Sequence, residues 1–407
     1  MLAIFDTYFS RFEVFPQLLP EPVAPDLGII VVIPCFNEPD IEKTLDSLRQ
    51  CYSTNCSIEI IIVVNHSEIE KENIKKFNQI TFEKIQAYSK QYATQRFKIL
   101  PIFAENLQKK HAGVGLARKI GMDEAIHRFA LINKPDGIIV SCDADTLVEK
   151  NYLIEIEKFY YENLSCSVAN IAFEHPLKGD LPQSQYKSIA EYELYLRYYV
   201  QQLKRINFPY AHYTIGSCFS LRAKTYCRQG GMNKRQAGED FYFLQKLFHT
   251  EQVGEIATTK VFPSSRMSDR VPFGTGTVMS KMISEQQEYA TYSSDSFDVL
   301  HDFFAKIPNT RTTNILNEVF QSLHPCLQDF LNFNEFEHKI NEIRNNSTTN
   351  ELYLKRFFNW FNGFMVYKFL NHSMQTFRKI PITTAASKLI GSETKDVFEL
   401  LAQYRQL

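Results

Sequence analysis

Two aspartates separated by one alanine, Asp143 and Asp145 of "IIVSCDADTL", follow an apolar run. Carboxylates held that close repel each other unless a cation lies with them. Where the chain turns at the end of a strand, both can approach a hard divalent ion, and oxygen ligands favour Mg²⁺ or Mn²⁺. Such ions take their remaining ligands from water and substrate phosphates. Without an ion, the same residues would form a solvated loop with an aspartate capping the next helix.

Three further stretches carry chemistry. In "NLQKKHAGVGLARKIGMDEA" (106–125), Gly113 and Gly115 permit close backbone approach, while Lys109, Lys110, His111 and Arg118 supply positive charge. Leu116, Ile120 and Ala125 fall on or near one helical face, which leaves Arg118 to face a phosphate. A basic first turn opposes the helix dipole and points to an anion that offsets it, although an ordinary amphipathic helix fits too. In "QAGEDFYFLQKLF" (236–248), a stripe of Phe241, Leu244, Leu247 and Phe248 sets Glu239 and Asp240 at a helix start, as a general base or as helix-terminal caps. Before it, "YTIGSCFSLRAKTYCRQGGMN" offers glycine turns with Arg222, Arg228 and Asn233. In "FPSSRMSDRVPFGTGT" (262–277), Arg266 and Arg270 precede Gly274 and Gly276, which suits a loop that folds over phosphate oxygens or a plain surface loop.

These motifs need elements to position them. "GIIVVIP" (28–34), "IEIIIVV" (58–64), "FKILPIF" (97–103) and "GIIVSC" (137–142) are apolar runs of strand length, separated by segments with helical periodicity such as Ile41, Leu45 and Leu48. That alternation predicts an open, mostly parallel Rossmann-like sheet with helices on both faces. Ligands bind such sheets beyond the carboxyl ends of the strands, where "CFNEPD", "NHSE", "KKHAGVGLAR" and "DADT" all fall. Further on, "SVANIAF" and "VGEIATTKVF" read as strands. The expected organisation is an N-terminal arm (1–27), an α/β domain (28–277) and a mostly helical C-terminal region (278–407) with a turn at "RNNSTTNE".

The 407 residues are 44% hydrophobic and 22% charged, which fits a globular protein. With 45 basic and 46 acidic residues, no global field favours nucleic acid, so an anionic partner must be gripped locally. No apolar run reaches the roughly 20 residues of a membrane span. "FFNWFNGFMVYKFL" (357–370) reads as a buried helix, with contact at a membrane surface as the other option. The eight cysteines form no Cys-x-x-Cys pair, which speaks against zinc or a disulfide framework and makes a reducing cytoplasm the simplest compartment, peripheral contact with the inner membrane face remaining open.

"VVIPCFNEPDIEKTLDSL", "GVGLARKIGMDEA", "VSCDADTLVEKNYL", "IGSCFSLRAKTY" and "GEDFYFLQKL", in this order and spacing, resemble the family 2 glycosyltransferases over about residues 28–277. The resemblance implies a GT-A fold, a nucleoside-diphosphate sugar as co-substrate, and Mn²⁺ or Mg²⁺ at an Asp-x-Asp motif. It implies that Pro34 and Glu38 line the nucleotide pocket and that Arg118 approaches the nucleotide and its phosphates. Asp143 and Asp145 become the ribose and metal contacts, Asp145 as direct ligand. Asp240 becomes the base that deprotonates an acceptor hydroxyl, with Glu239 beside it, in an inverting hexosyl transfer. Arg118, Arg266 and Arg270 would stabilise the leaving diphosphate. A third metal ligand would come from His111, His212, Asp269, or water and diphosphate. The acceptor, whether a sugar, a lipid-linked or a small molecule, is not legible.

The chain departs from the family at Asn65, where an aspartate usually reads the nucleotide base. It also lacks the Gln-x-x-Arg-Trp of processive members, its sole tryptophan being Trp360. Three other readings fit parts of the pattern. "DADT" matches the Asp-x-Asp-x-Thr of phosphatases with Asp143 as nucleophile, but no later Gly-Asp-x-x-x-Asp follows. A nucleotidyltransferase could use a similar sheet, and a catalytically dead nucleotide-sugar-binding protein could keep the same fold.

Overall fold

The first two apolar runs become strands because they are rich in β-branched residues and covered on both faces: every residue of Leu27–Cys35 and Ser57–Ser67 is buried. The computed structural model describes residues 2–236, 238–267, 275–285, 288–311 and 315–407. They form two units, residues 1–185 with 214–281, and residues 186–213 with 282–407.

The first unit holds strands β1 (Leu27–Cys35), β2 (Ser57–Ser67), β3 (Phe97–Leu107), β4 (Ile138–Ser141), β5 (Leu147–Val148), β6 (Val168–Phe173), β7 (Phe219–Arg222) and β8 (Val253–Phe262). They make one sheet in the order β3-β2-β1-β4-β7-β6-β8-β5. β3, β2, β1 and β4 run parallel, as the alternation predicts. Beyond them the sheet is mixed. β7 lies antiparallel between β4 and β6, and β5 antiparallel on β8, while β6 and β8 pair in parallel. With its helices, this mostly parallel mixed sheet has the GT-A-like form expected. The antiparallel β7 has a consequence: the chain enters that strand at the carboxyl end of β4, because Phe219 pairs with Ser141.

The helices here are α1 (Leu2–Phe12), α2 (Ile41–Arg49), α3 (Glu72–Tyr92), α4 (Val114–Leu131), α5 (Tyr152–Glu162), the first residues of α6 (Gln183–Arg205), α7 (Ala223–Arg228) and α8 (Glu239–Thr250). α4 differs from the amphipathic helix expected. Fourteen of its residues are buried, including Arg118, Lys119, Asp123, Glu124 and Arg128, because the sheet, α1, α7 and α8 all pack on it. Gly121 permits a close approach to the sheet: a Cβ there would stand 2.5 Å from Val32 Cγ1. α8 keeps Leu244, Leu247 and Phe248 of its expected apolar stripe but buries Phe243 in place of Phe241, which is only part-buried.

The N-terminal arm is pinned to α4 through buried charge. Tyr8 and Tyr226 donate to Asp123 Oδ1 at 2.6 and 2.8 Å, and Lys119 Nζ lies 3.0 Å from Asp123 Oδ2. Glu124 accepts from the backbone N–H of Leu18 at 2.8 Å and of Leu19 at 3.3 Å. Arg128 pairs with buried Glu59 and donates to the Glu21 carbonyl at 3.2 Å. Gly231, at φ +72°, lies so near the Tyr8 hydroxyl that a side chain would collide with it.

The second unit takes most of α6 and adds α9 (Thr275–Glu285, which starts in the first unit), β9 (Ala290–Thr291), α10 (Ser294–Lys306), α11 (Leu316–Gln321), α12 (Pro325–Leu331), α13 (Phe333–Asn345), α14 (Asn350–Trp360), α15 (Gly363–Ser373), β10 (Ile380–Pro381), α16 (Ile382–Ile390) and α17 (Val397–Tyr404). β9 and β10 pair antiparallel. The segment 357–370 is not one buried helix: it is shared by the end of α14 and the start of α15, each burying one face, while Tyr367 is 44% exposed. Phe357, Phe361, Val366, Phe369 and Leu370 are all 0% exposed, and Phe303 packs edge-on to Phe357 and Phe361. The eight cysteines are all free thiols, and no helix among the described residues is long and apolar enough to cross a membrane.

Two stability predictions follow from the arm. Asp123→Ala leaves Lys119 buried without its carboxylate and should cost about 3–5 kcal/mol in urea unfolding; a loss below about 1 kcal/mol would refute the buried-network account. Burial also pushes the Glu124 carboxyl up to about 7 from its ordinary 4.5, the Leu18 and Leu19 N–H groups pulling only partly against it. The folded chain then holds a proton that the unfolded chain releases, so stability should fall as pH rises from about 4.5 to about 7. Glu124→Gln should flatten that slope in urea melts taken across the interval.

Candidate active site

The loop that leaves β1 turns through Asn37, at φ 49°. Its N–H donates to Asn78 Oδ1 at 2.9 Å, and the Asn78 amide donates to the Asn65 carbonyl at 3.0 Å. Asn78, fully buried on α3, therefore staples the ends of β1 and β2 together. Glu38 follows, also fully buried, accepting from the Asp40 N–H at 2.9 Å. Both Glu38 oxygens accept from Arg266 Nη2, at 2.9 and 2.8 Å. Arg266 Nη1 reaches Asp40 Oδ2 at 3.1 Å, and its Nη2 lies 3.5 Å from Asp145 Oδ2.

The exit of β4 is braced from α2, whose Thr44 hydroxyl donates to the Ala144 carbonyl at 2.9 Å. Thr146 N–H closes the turn onto the Asp143 carbonyl at 3.2 Å. Asp143 Oδ1 sits 2.6 Å from Arg118 Nη2, and Arg118 Nη1 grips Glu239 Oε1 at the start of α8. The guanidinium is 2% exposed. Gly216, delivered here by the reversed direction of β7, fits against this pair. A Cβ on it would meet Arg118 Nη2 at 2.8 Å and Asp240 Oδ2 at 3.0 Å. Gly113 and Gly115 also serve close approach, but to the chain before α8: a Cβ on Gly115 would lie 2.2 Å from the Arg235 carbonyl. α8 itself starts at Gly238, left-handed at φ 69°.

The electrostatics of the two adjacent carboxylates follow from this burial. Burial pushes Glu239 up to about 7, against the pull of Arg118. Burial raises Asp240 as well, with Arg118 and the Phe241 N–H, 2.7 Å from Oδ1, pulling it back. A carboxylate held above its ordinary range, beside a fixed guanidinium, has the character of a proton acceptor tuned toward neutral pH.

The structure thus links Asp143, Arg118, Glu239, Asp240 and Gly216 in one cluster, and Glu38, Asp40, Arg266 and Asp145 in a second that the same β4 turn joins to the first. Arg118, read as facing a phosphate, pairs in this structure with Asp143 and Glu239, which offset the positive start of α4. β2 continues through "NHS", so Asn65 lies within the strand, paired opposite Ala104 and 3% exposed. Pro34 is buried in β1 opposite Val63. Arg222 is not part of this cluster: it sits at the other end of β4, opposite Ile138, and donates to the Cys166 and Tyr160 carbonyls. Arg228 pairs with Glu251. His212 falls in the second unit, whereas Asp269, Arg270 and Gly274 lie outside the described residues. Asp40, Thr44, Asn78 and Gly216 were not singled out by sequence reasoning. Only Asp40 and Gly216 carried a signal there, as the last residue of "CFNEPD" and the glycine of "IGSC". Among the described residues, no group of three or more His, Cys, Asp or Glu stands ready to hold a metal ion.

No match was found among curated proteins. Similar solved structures include residues 1–349 of S. aureus TarS in complex with UDP-GlcNAc, 12% identical with a TM-score of 0.41 over 90% of this chain and 92% of that one. The same fragment in complex with UDP is 13% identical, with a TM-score of 0.39 over 93% and 91%. S. aureus TarS is 13% identical with a TM-score of 0.39, matched over 85% of this chain and 55% of its own. The family model for glycosyl transferase family 2 matches residues 30–227, which run from β1 through β7 and contain Glu38, Arg118, Asp143 and Asp145. Over residues 30–227 the chain therefore carries a family 2 glycosyltransferase domain.

Proposed function

We propose that this glycosyltransferase moves a sugar from a nucleoside-diphosphate donor to an acceptor hydroxyl with inversion at the anomeric carbon. The observation that carries this reading is the buried Arg118 bridge, which ties the carboxylate at the β4 exit to the carboxylates that open α8. Asp240 is the base in this scheme. It takes the hydroxyl proton as the acceptor oxygen bonds to the anomeric carbon, and the bond from that carbon to the diphosphate oxygen breaks on the opposite face. Arg118 is a positioning residue that fixes Asp143 and Glu239. Pro34, Glu38 and Asn65 border the nucleotide, and Arg266 with Arg270 supplies charge to the diphosphate.

The donor set fits a hard divalent ion: Asp143 and Asp145 offer oxygen ligands one residue apart, with side chains 39% and 25% exposed. When bound, Mn²⁺ or Mg²⁺ would be held by Asp145, with Asp143 beside it, and would stabilise charge on the leaving diphosphate. Water and the diphosphate complete such a coordination shell.

Thermal-shift measurements with nucleoside diphosphates and nucleotide sugars test the donor. Stabilisation should appear with one nucleotide series, grow with Mn²⁺, and vanish in Asp145→Asn; no shift with any of them sinks the reading. Asp240→Asn should lower kcat by about 10²–10⁴-fold while donor affinity stays within about twofold. Because burial raises the Asp240 carboxyl, the base is lost as pH falls through a value above the ordinary 3.8. The acidic limb of the wild-type kcat profile should therefore lie above that value, and it should disappear from the residual rate of Asp240→Asn.

A further inference from the structure

Arg266 holds an unusual place for a loop arginine. Its guanidinium meets the fully buried Glu38 through Nη2, Asp40 through Nη1, and Asp145 across 3.5 Å. It is itself only 27% exposed. Its neighbour Ser265 is buried and anchored, donating to the Pro176 carbonyl at 2.6 Å, and the Arg266 N–H donates to Ser264 Oγ at 3.2 Å. The arginine is therefore delivered by an ordered backbone from the end of β8 onto acidic residues that leave β1 and β4.

A buried carboxylate such as Glu38 requires a cation, and a forked guanidinium can serve several oxygens at once. A divalent ion bonded to Asp145 Oδ2 would lie about 2 Å from that oxygen. It would then face the guanidinium across no more than about 6 Å, where two like charges repel strongly at a part-buried site. The full charge of Arg266 and a divalent ion therefore disfavour each other at this position unless an anion arrives with the ion.

On the metal-dependent reading given above, we infer that Arg266 is the resident counter-ion of the acidic site. It neutralises Glu38, Asp40 and Asp145 in the ligand-free chain and antagonises a bare divalent ion there. When an ion enters together with a diphosphate, the phosphate charge relieves that antagonism, and Arg266 exchanges carboxylate oxygens for phosphate oxygens. Arg266 thereby makes ion and nucleotide binding mutually dependent, so that the ion alone does not fill the site. That coupling is reciprocal by thermodynamic necessity.

Equilibrium Mn²⁺ binding, read by electron paramagnetic resonance of the free ion, tests this on the full chain with and without a nucleoside diphosphate. Wild type should bind Mn²⁺ weakly alone and at least about tenfold more tightly with the diphosphate. Arg266→Gln should bind Mn²⁺ alone about tenfold more tightly than wild type, bind the diphosphate more weakly, and lose most of the coupling between them. Arg266→Lys keeps the charge and should remain close to wild type for Mn²⁺ alone, which separates charge from a general disturbance of the loop. If Arg266→Gln, folded by circular dichroism, binds Mn²⁺ alone no better than wild type while Asp145→Asn abolishes binding, the counter-ion role is wrong and the metal-dependent reading stands. If wild type binds no Mn²⁺ even with a diphosphate, both fall.

Discussion

The site depends on one buried cation. Arg118, 2% exposed, lies between Asp143 and Glu239, two carboxylates 96 residues apart in sequence and carried by different elements. Burying a guanidinium is costly, and removing one partner of such a pair typically costs about 3–5 kcal/mol, so each group requires the others. This interaction fixes α8 against α4 and holds the β4 turn in register with both. It also shapes the protonation of the cluster: burial drives Glu239 upward and Arg118 restrains it.

Around that cation the backbone is arranged to permit contact. Gly216 and Gly115 are placed where any side chain would strike Arg118, Asp240 or the Arg235 carbonyl. Asn78 and Thr44, both on helices, hold the loops after β1 and β4 and the end of β2 by hydrogen bonds to backbone groups. Such braces leave the carboxylates of Glu38, Asp143 and Asp145 directed by the scaffold and not by their own loops, as a preorganised site requires.

α4 connects the site to the N-terminal arm. At its first turns it presents Arg118; Lys119, the next residue, and Asp123 and Glu124 further along take up Tyr8, Leu18 and Leu19. A helix packed on every side transmits strain because protein interiors are close-packed. The arm thus belongs to the structure that positions the guanidinium, and it is more than a leading tail.

The sequence by itself determined the parallel half of the sheet, since β-branched runs covered on both faces can be strands in few other ways, and it marked the carboxylates at the strand exit. It also showed that 357–370 carries enough apolar residues to supply buried faces. What it did not determine was where the charges point. Helical periodicity left Arg118 on the polar side of α4, because a one-dimensional pattern carries no record of α1 and α8 covering that side. Phe241 was read into the α8 stripe for the same reason, where the fold buries Phe243. The direction of β7, the delivery of Gly216 to Asp240, and the meeting of Arg266 with Glu38, Asp40 and Asp145 all join residues far apart in the chain. Only the tertiary structure decided them, because pairing of distant charges is set by strand order and packing and leaves no periodic trace in the residues themselves.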